Sequence, residues 1–252
     1  MINPPPLPIY ETDLFLPRYR PFVSARWRLQ LADMVLCPGY WTPPRLVINM
    51  AALLRTEDGE TRSWMSMTPV EIESQELGCR HALGHVVVMG LGMGWAAVNA
   101  ALNPAVTRVT VVEFDPEVIE AVRFSGVIEQ LPPEAAAKIT ISQGDAYHVV
   151  PAAPADTLLA DIWLPLFGAT RDDEVRRMHA NTGGARVYFW GQEMVIADRA
   201  RRAGVPLTHQ TVAEIVSDMA LPLIGPAERP DYPDLIIQAA AKWLKPAVPA
   251  AA

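Results

Sequence analysis

Three glycines and one acidic residue near the middle of the chain have the types and spacing of a nucleotide-binding site. Gly90, Gly92 and Gly94 follow an unbroken apolar run at residues 85–89, and an alanine-rich, helix-forming segment comes next. Such a glycine turn lets the backbone approach a ligand closely, with amide groups at the start of a helix facing it. Glu113 ends the next apolar run, where a carboxylate can accept hydrogen bonds from both hydroxyls of a ribose.

The glycine spacing indicates which nucleotide. A dinucleotide fold has G-x-G-x-x-G, but the last of those positions is Trp95 here, and the pattern is G-x-G-x-G. The strand, glycine turn, helix and acid-ending strand resemble the first two motifs of class I S-adenosylmethionine (SAM) methyltransferases and of the spermidine synthases that share their fold. The resemblance implies a SAM cofactor, held at Gly90, Leu91, Gly92, Gly94 and Glu113.

Two further acidic residues follow predicted strands. Asp145 and Ala146 come after a strand at 138–142, and in the resembled families an Asp here bonds the adenine amino group while the next amide meets a ring nitrogen. Asp161 ends a strand at 157–160, and ligands of open α/β sheets bind outside such strand ends.

The segment that begins at Asp161 is similar to the D-S-S-D-P of spermidine synthases, with D-I-W-L-P in its place. That resemblance implies that Asp161 is the catalytic residue, either as a base or as a group that holds an amine. Trp163 is a candidate wall of the substrate pocket, with a place in the core as the alternative.

The region before the glycine turn predicts a β-hairpin and a short acidic helix. Apolar runs at 45–55 and 61–67 flank an Asp-Gly turn, and a helix begins after Thr68 and ends at Gly78. This order resembles the N-terminal region of spermidine synthases. Their D-E-x-x-Y-H-E stretch is V-E-I-E-S-Q-E here. The resemblance implies substrate contacts by Glu71 and Gln75, but three of the five specified residues of the pattern are replaced.

Together these segments predict an α/β fold, a Rossmann-like seven-stranded class I methyltransferase sheet with a small N-terminal β-hairpin region. The boundaries are an arm, hairpin and acidic helix at 1–80, a SAM-binding domain at 81–246 and a disordered tail at 247–252. The pattern leaves open whether 23–36 is a strand or a short helix. The last three strands are expected at 185–190, 208–216 and 235–240, the final two as an antiparallel pair.

The composition of the chain limits which kinds of partner and which cellular location are expected. The 252 residues have a net charge of −7 and no basic run, which disfavours nucleic acid. No apolar run reaches membrane-spanning length, no signal peptide is apparent, and two separated cysteines fit a reducing compartment, so a cytoplasmic protein is expected. Five scattered histidines have no metal-binding spacing. The resemblance also suggests a homodimer.

Three functional hypotheses follow. The first is a SAM-dependent methyltransferase that acts on a small molecule or peptide. The second is an aminopropyltransferase that uses decarboxylated SAM. The third is a non-catalytic protein that keeps the fold and binds ligands only.

Overall fold

The computed structural model describes residues 7–245, which form two β-sheets and the helices around them. The strands are β1 (Phe22–Val23), β2 (Trp27–Cys37), β3 (Arg45–Glu57), β4 (Glu60–Ser66), β5 (Gly84–Met89), β6 (Val106–Glu113), β7 (Ile139–Gln143), β8 (Thr157–Ala160) and β9 (Arg186–Phe189). The helices are α1 (Pro69–His81), α2 (Trp95–Leu102), α3 (Pro116–Ser125), α4 (Pro133–Ala136), α5 (Arg171–Thr182), α6 (Gln192–Ala203), α7 (His209–Met219) and α8 (Tyr232–Trp243), with a 3-10 turn at Ile128–Gln130.

The second sheet is fully parallel and has the strand order β7-β6-β5-β8-β9. The five strands expected between residues 85 and 190 are therefore confirmed. Residues of β5 and β8 are almost all buried, as expected for parallel strands with helices on both faces. From β5 the chain adds β6 and β7 toward one edge of the sheet, and it then returns to add β8 and β9 on the other side of β5. Open α/β sheets bind ligands at such a switch point, which here lies between β5 and β8.

The expected sixth and seventh strands are wrong, because both segments are helices. In α7 the buried Val212, Ile215 and Met219 lie three and four residues apart, which is the helical period and not that of a strand. Thr208 and Thr211 form a capping box at its start. The β-branched residues of this segment favour a strand, but its buried apolar residues form a stripe along one face of a helix. The parallel sheet of the described chain therefore has five strands and not seven.

The N-terminal sheet is antiparallel, in the order β1-β2-β3-β4. Its predicted hairpin is confirmed: Asp58 and Gly59 have φ values of 51° and 80°, as a two-residue turn with a right-handed strand twist requires. Residues 23–36, for which the pattern left strand and helix open, mainly form strand β2.

The N-terminal arm runs beside β3, because the Tyr10 amide donates to the Leu46 carbonyl at 2.8 Å. Residues 1–6 of the arm and the predicted tail at 247–252 lie outside the described residues.

Helix α1 is longer than expected, because it continues through Gly78 to His81. A Cβ at Gly78 would lie 2.9 Å from Cδ1 of Tyr188, so the glycine serves close packing of the helix on β9 and does not end it. The Thr68 side chain makes no capping hydrogen bond, although the helix begins where the sequence predicts.

A buried carboxylate joins four elements behind the parallel sheet. Glu193 at the start of α6 accepts hydrogen bonds from the hydroxyls of Tyr40, Tyr188 and Tyr232, at 2.9–3.1 Å. Burial raises the pKa of Glu193, and the hydroxyls oppose that rise by bonding its charged form. The cluster fixes β9 and α8 against the N-terminal sheet.

Candidate functional site

A cavity of about 370 Å³ lies where the parallel sheet meets the N-terminal sheet. The parallel sheet and its loops contribute six residues that the sequence predicts for the site, namely Gly90, Gly92, Glu113, Asp145, Ala146 and Asp161. The N-terminal sheet contributes four residues that the sequence does not predict, namely Arg26, Trp27, Arg55 and Trp64. The volume suits a small organic ligand.

Glu113 connects the end of β6 to the glycine turn. One carboxylate oxygen accepts from the Leu91 amide and the other from the Asp115 amide, both at 2.8 Å. Burial raises the pKa of Glu113, and these backbone donors oppose that rise. The Gly92 amide also bonds this carboxylate, so about one of its roughly four acceptor positions remains for a ligand hydroxyl.

The glycine turn is shaped by the protein's own packing. Gly90 has φ of 93°, and a Cβ there would lie 1.9 Å from the Asp161 carbonyl oxygen; at Gly92 it would lie 2.6 Å from Sδ of Met65. The absent side chains therefore admit neighbouring protein groups, whereas the sequence argument assigned that space to a ligand. Gly94 caps α2 in the left-handed region and does not line the cavity.

Asp145 and its neighbours form the outer wall. Its carboxylate accepts from the Tyr147 amide at 2.9 Å and bonds the His148 ring at 2.8 Å, and these bonds lower the pKa of Asp145. Phe114 is 72% exposed and lines the cavity together with Ala146. The wall therefore combines a carboxylate and an exposed aromatic ring, which suits a flat heteroaromatic group.

Three carboxyl groups lie near the switch point. Burial raises the pKa of Asp161 to about 7, the charge of Arg171 lowers it, and the charge of Glu113 raises it further. Burial, and then the charge of Asp161, raises the pKa of Glu71 well above its ordinary value, while a hydrogen bond from the Gln75 amide at 2.5 Å opposes the rise. Asp161 is therefore poised to exchange a proton near neutral pH.

A second, inner cavity of about 30 Å³ adjoins the first. Gly90, Gly92 and Asp161 line both cavities, and Gln75 lines only the inner one. Gln75 and Asp161 thus line the same small cavity, and a substrate role for Gln75 stays a prediction. The inner space holds roughly two water molecules.

Trp163 and Glu71 have other surroundings than the sequence suggested. The Trp163 indole donates to Glu174 at 2.5 Å, and the Arg171 guanidinium carbon lies 4.1 Å from the centre of its ring. Neither Trp163 nor Glu71 is among the residues that line the two cavities. Trp163 instead packs toward α5, and Glu71 is linked to the inner cavity by its hydrogen bond with Gln75 and by its charge interaction with Asp161.

The roof over the larger cavity comes from the N-terminal sheet. The Trp27 indole donates to the Asp115 carboxylate at 2.8 Å, and the rings of Trp27 and Trp64 meet edge to face with their centres 5.5 Å apart. Strand pairing sets Trp27 opposite Arg55, far from it in sequence. No short motif marks these residues, because only the sheet register brings them together.

Within residues 7–245, no cluster of three or more His, Cys, Asp or Glu side chains is arranged to hold a metal ion. In the same range, no helix has the length and apolar character needed to cross a membrane.

No known family matches the sequence, and no curated protein matches it either. Among solved structures, the glycopeptide N-methyltransferase MtfA in complex with sinefungin has a TM-score of 0.33 and 18% identity, over 44% of this chain and 42% of that one. The methyltransferase domain of bacterial CtHen1 has a TM-score of 0.35 and 14% identity, over 47% of this chain and 65% of that one. A DhpI–SAM–HEP complex has a TM-score of 0.31 and 18% identity, over 42% and 45%. The chain thus matches less than two thirds of each of these structures, and the resemblance to spermidine synthases stays a prediction.

Proposed function

We propose that this protein binds SAM in the larger cavity and is a methyltransferase for a small molecule or a peptide. The observation that carries the proposal is Glu113, which lies on the cavity wall and holds the Leu91 amide of the glycine turn. A strand-end carboxylate in that position is suited to bind a ribose beside the turn.

The residues of the cavity fit this cofactor. Glu113 would hold the ribose, Asp145 and the Ala146 amide would hold the adenine, and Phe114 would cover the adenine ring. Four carboxyl groups line the cavity against two guanidinium groups, which favours a positively charged sulfonium. When bound, SAM supplies a methyl carbon that is activated for direct displacement.

The protein's own part is to hold the reactants and to accept a proton. Asp161 lines both cavities, so it lies where an acceptor must approach the cofactor. With a pKa of about 7, a large fraction of its carboxyl is ionised at neutral pH and can take a proton from an N–H or O–H acceptor. The two roof tryptophans cover part of the site with apolar surface.

The aminopropyltransferase alternative is less well supported. The amine-binding pattern of spermidine synthases is largely lost, because Val70, Ser74 and Gln75 stand where that family has Asp, Tyr and His. The third hypothesis, a binding protein without catalysis, shares the cofactor site and differs only in the absence of turnover.

A thermal-shift panel tests the proposal, with SAM, S-adenosylhomocysteine, decarboxylated SAM, methylthioadenosine and NAD as ligands. A ligand at about a hundred times its dissociation constant adds roughly 2.7 kcal/mol, which raises Tm by about 5–10 °C in a chain of this size. We expect this shift with SAM and S-adenosylhomocysteine but not with NAD. A shift with none of the adenosyl ligands would contradict the proposal.

Turnover is then measured with methyl-labelled SAM against panels of small molecules and peptides, with Asp161→Asn as the matched variant. Labelled product from the wild type that falls sharply in the variant supports the methyltransferase. Aminopropyl transfer to putrescine from decarboxylated SAM would favour the alternative.

A further inference from the structure

Arg55 lies in the roof of the larger cavity, in the middle strand of the three that cover it. Its guanidinium carbon is 5.3 Å from the ring centre of Trp64 and 5.7 Å from that of Trp27, so the two indoles fix its position. We propose that Arg55 binds the carboxylate of the cofactor's amino-acid part and thereby makes the site select SAM over decarboxylated SAM. This inference rests on the proposed function.

The Arg55 guanidinium has unused hydrogen-bonding capacity. Its Nε is buried and has no hydrogen-bond partner within the described residues. Its Nη2 donates at 2.9 Å to Glu57, whose side chain is 62% exposed, and such exposed pairs contribute little free energy. Arg55 also lines the larger cavity, so an anionic ligand group that reaches its guanidinium gains a charge-assisted hydrogen bond.

The two other guanidinium groups nearby are less available to a ligand in this cavity. Arg26 lines the same cavity but bonds Asp115 at 2.9 Å and Glu117 at 3.1 Å. Arg171 donates to the Pro165 carbonyl at 2.9 Å, and its Nε, like that of Arg55, is buried without a partner among the described residues, but Arg171 does not line the cavity. Among the cavity-lining residues of the described chain, Arg55 is therefore the cation that is left for an anionic group.

The sheet places Arg55 between the two ends of the cofactor site. On one side β2 reaches the ribose wall, where Trp27 bonds Asp115. On the other side β4 reaches the glycine turn, where Sδ of Met65 accepts from the Met93 amide at 3.2 Å. Arg55 belongs to β3, which pairs with both strands. A ligand with its ribose at the first wall and its amino-acid part toward the turn passes beneath β3.

Charge complementarity supports the same assignment. SAM carries two positive groups, the sulfonium and the ammonium, and one carboxylate. The cavity lining offers several carboxyl groups, and Arg55 is its one guanidinium whose only ion pair is with an exposed carboxylate, so its charges match those of SAM. Decarboxylated SAM lacks the group that Arg55 would bind, and Arg55 would then keep only its exposed pair with Glu57.

The test is a titration by calorimetry of SAM and decarboxylated SAM, which differ only in the carboxylate. We expect wild-type protein to bind SAM about tenfold to a hundredfold more tightly, the range for a hydrogen bond to a charged group. In Arg55→Met that preference disappears, because SAM affinity falls while the affinity for decarboxylated SAM changes less than about threefold. Arg62→Met is the matched control: Arg62 pairs with Arg55 in register, is 69% exposed and does not line this cavity, so the preference persists.

The outcomes separate this inference from the function on which it rests. Equal wild-type affinity for the two ligands, or an equal loss of both in Arg55→Met, overturns the role of Arg55 and leaves the proposed cofactor site standing. Absence of binding for both ligands overturns the proposed function as well. Arg55→Lys keeps the charge and must retain part of the preference, which also tests the inference if Arg55→Met does not fold.

Discussion

The carboxylate of Glu113 and the amide of Leu91, 22 positions apart in sequence, are joined by a hydrogen bond of 2.8 Å. This bond ties the tip of β6 to the glycine turn after β5. It also fixes the carboxylate at the cavity wall, so the same group that organises the turn faces the ligand. A substitution of Glu113 is therefore expected to lower both the free energy of unfolding and the affinity for the ligand.

Replacing Glu113 by Gln tests this coupling. The new NH₂ group must face one of the two backbone amides that now donate to the carboxylate, so a buried donor loses its acceptor. We expect a loss of about 1–3 kcal/mol in the free energy of unfolding and at least a tenfold weaker affinity for SAM. Urea unfolding and calorimetry measure the two effects. The exposed Glu120→Gln on α3 is the control, and similar behaviour of both variants would argue against a special role for Glu113.

The raised pKa of Asp161 predicts how stability depends on pH. Between about pH 4 and pH 7 the folded protein keeps a proton on Asp161 that the unfolded chain has released, so the folded state binds more protons. The free energy of unfolding then falls as pH rises through this window. Glu71, whose pKa is also raised, acts in the same direction.

The measurement is urea unfolding of the wild type and of Asp161→Asn at several pH values from 4 to 8. We expect the wild type to lose a few kcal/mol relative to the variant across this range. Parallel curves for the two proteins would show that the Asp161 carboxyl has an ordinary pKa.

Two alanine substitutions separate crowding from backbone strain. Gly90 and Gly59 both have positive φ, at 93° and 80°, but a Cβ at Gly90 would overlap the Asp161 carbonyl, while nothing lies within 4 Å of a Cβ at Gly59. We expect Gly59→Ala to cost about 1–2 kcal/mol and Gly90→Ala to cost more than about 4 kcal/mol or to prevent folding. Urea unfolding compares them, and equal costs would mean that the β5 turn can shift away from Asp161.

The sequence alone determined the centre of the parallel sheet and much of the ligand site. Buried parallel strands are continuous apolar runs, and the turns after them carry their glycines and acids within a few residues, so local signals suffice. For that reason residues such as Gly90, Glu113 and Asp145 could be predicted to meet at one edge, and the structure brings them to one cavity.

Only the tertiary structure decided the rest, because it depends on contacts between distant segments. Whether α7 and α8 are strands or helices follows from which face packs on α6, and the β-branched residues of α7 obscured that choice. Gly78 looks like a helix end, but its role comes from Tyr188 on another element. Trp27, Arg55 and Trp64 form the cavity roof through strand register, a long-range relationship that no local pattern encodes.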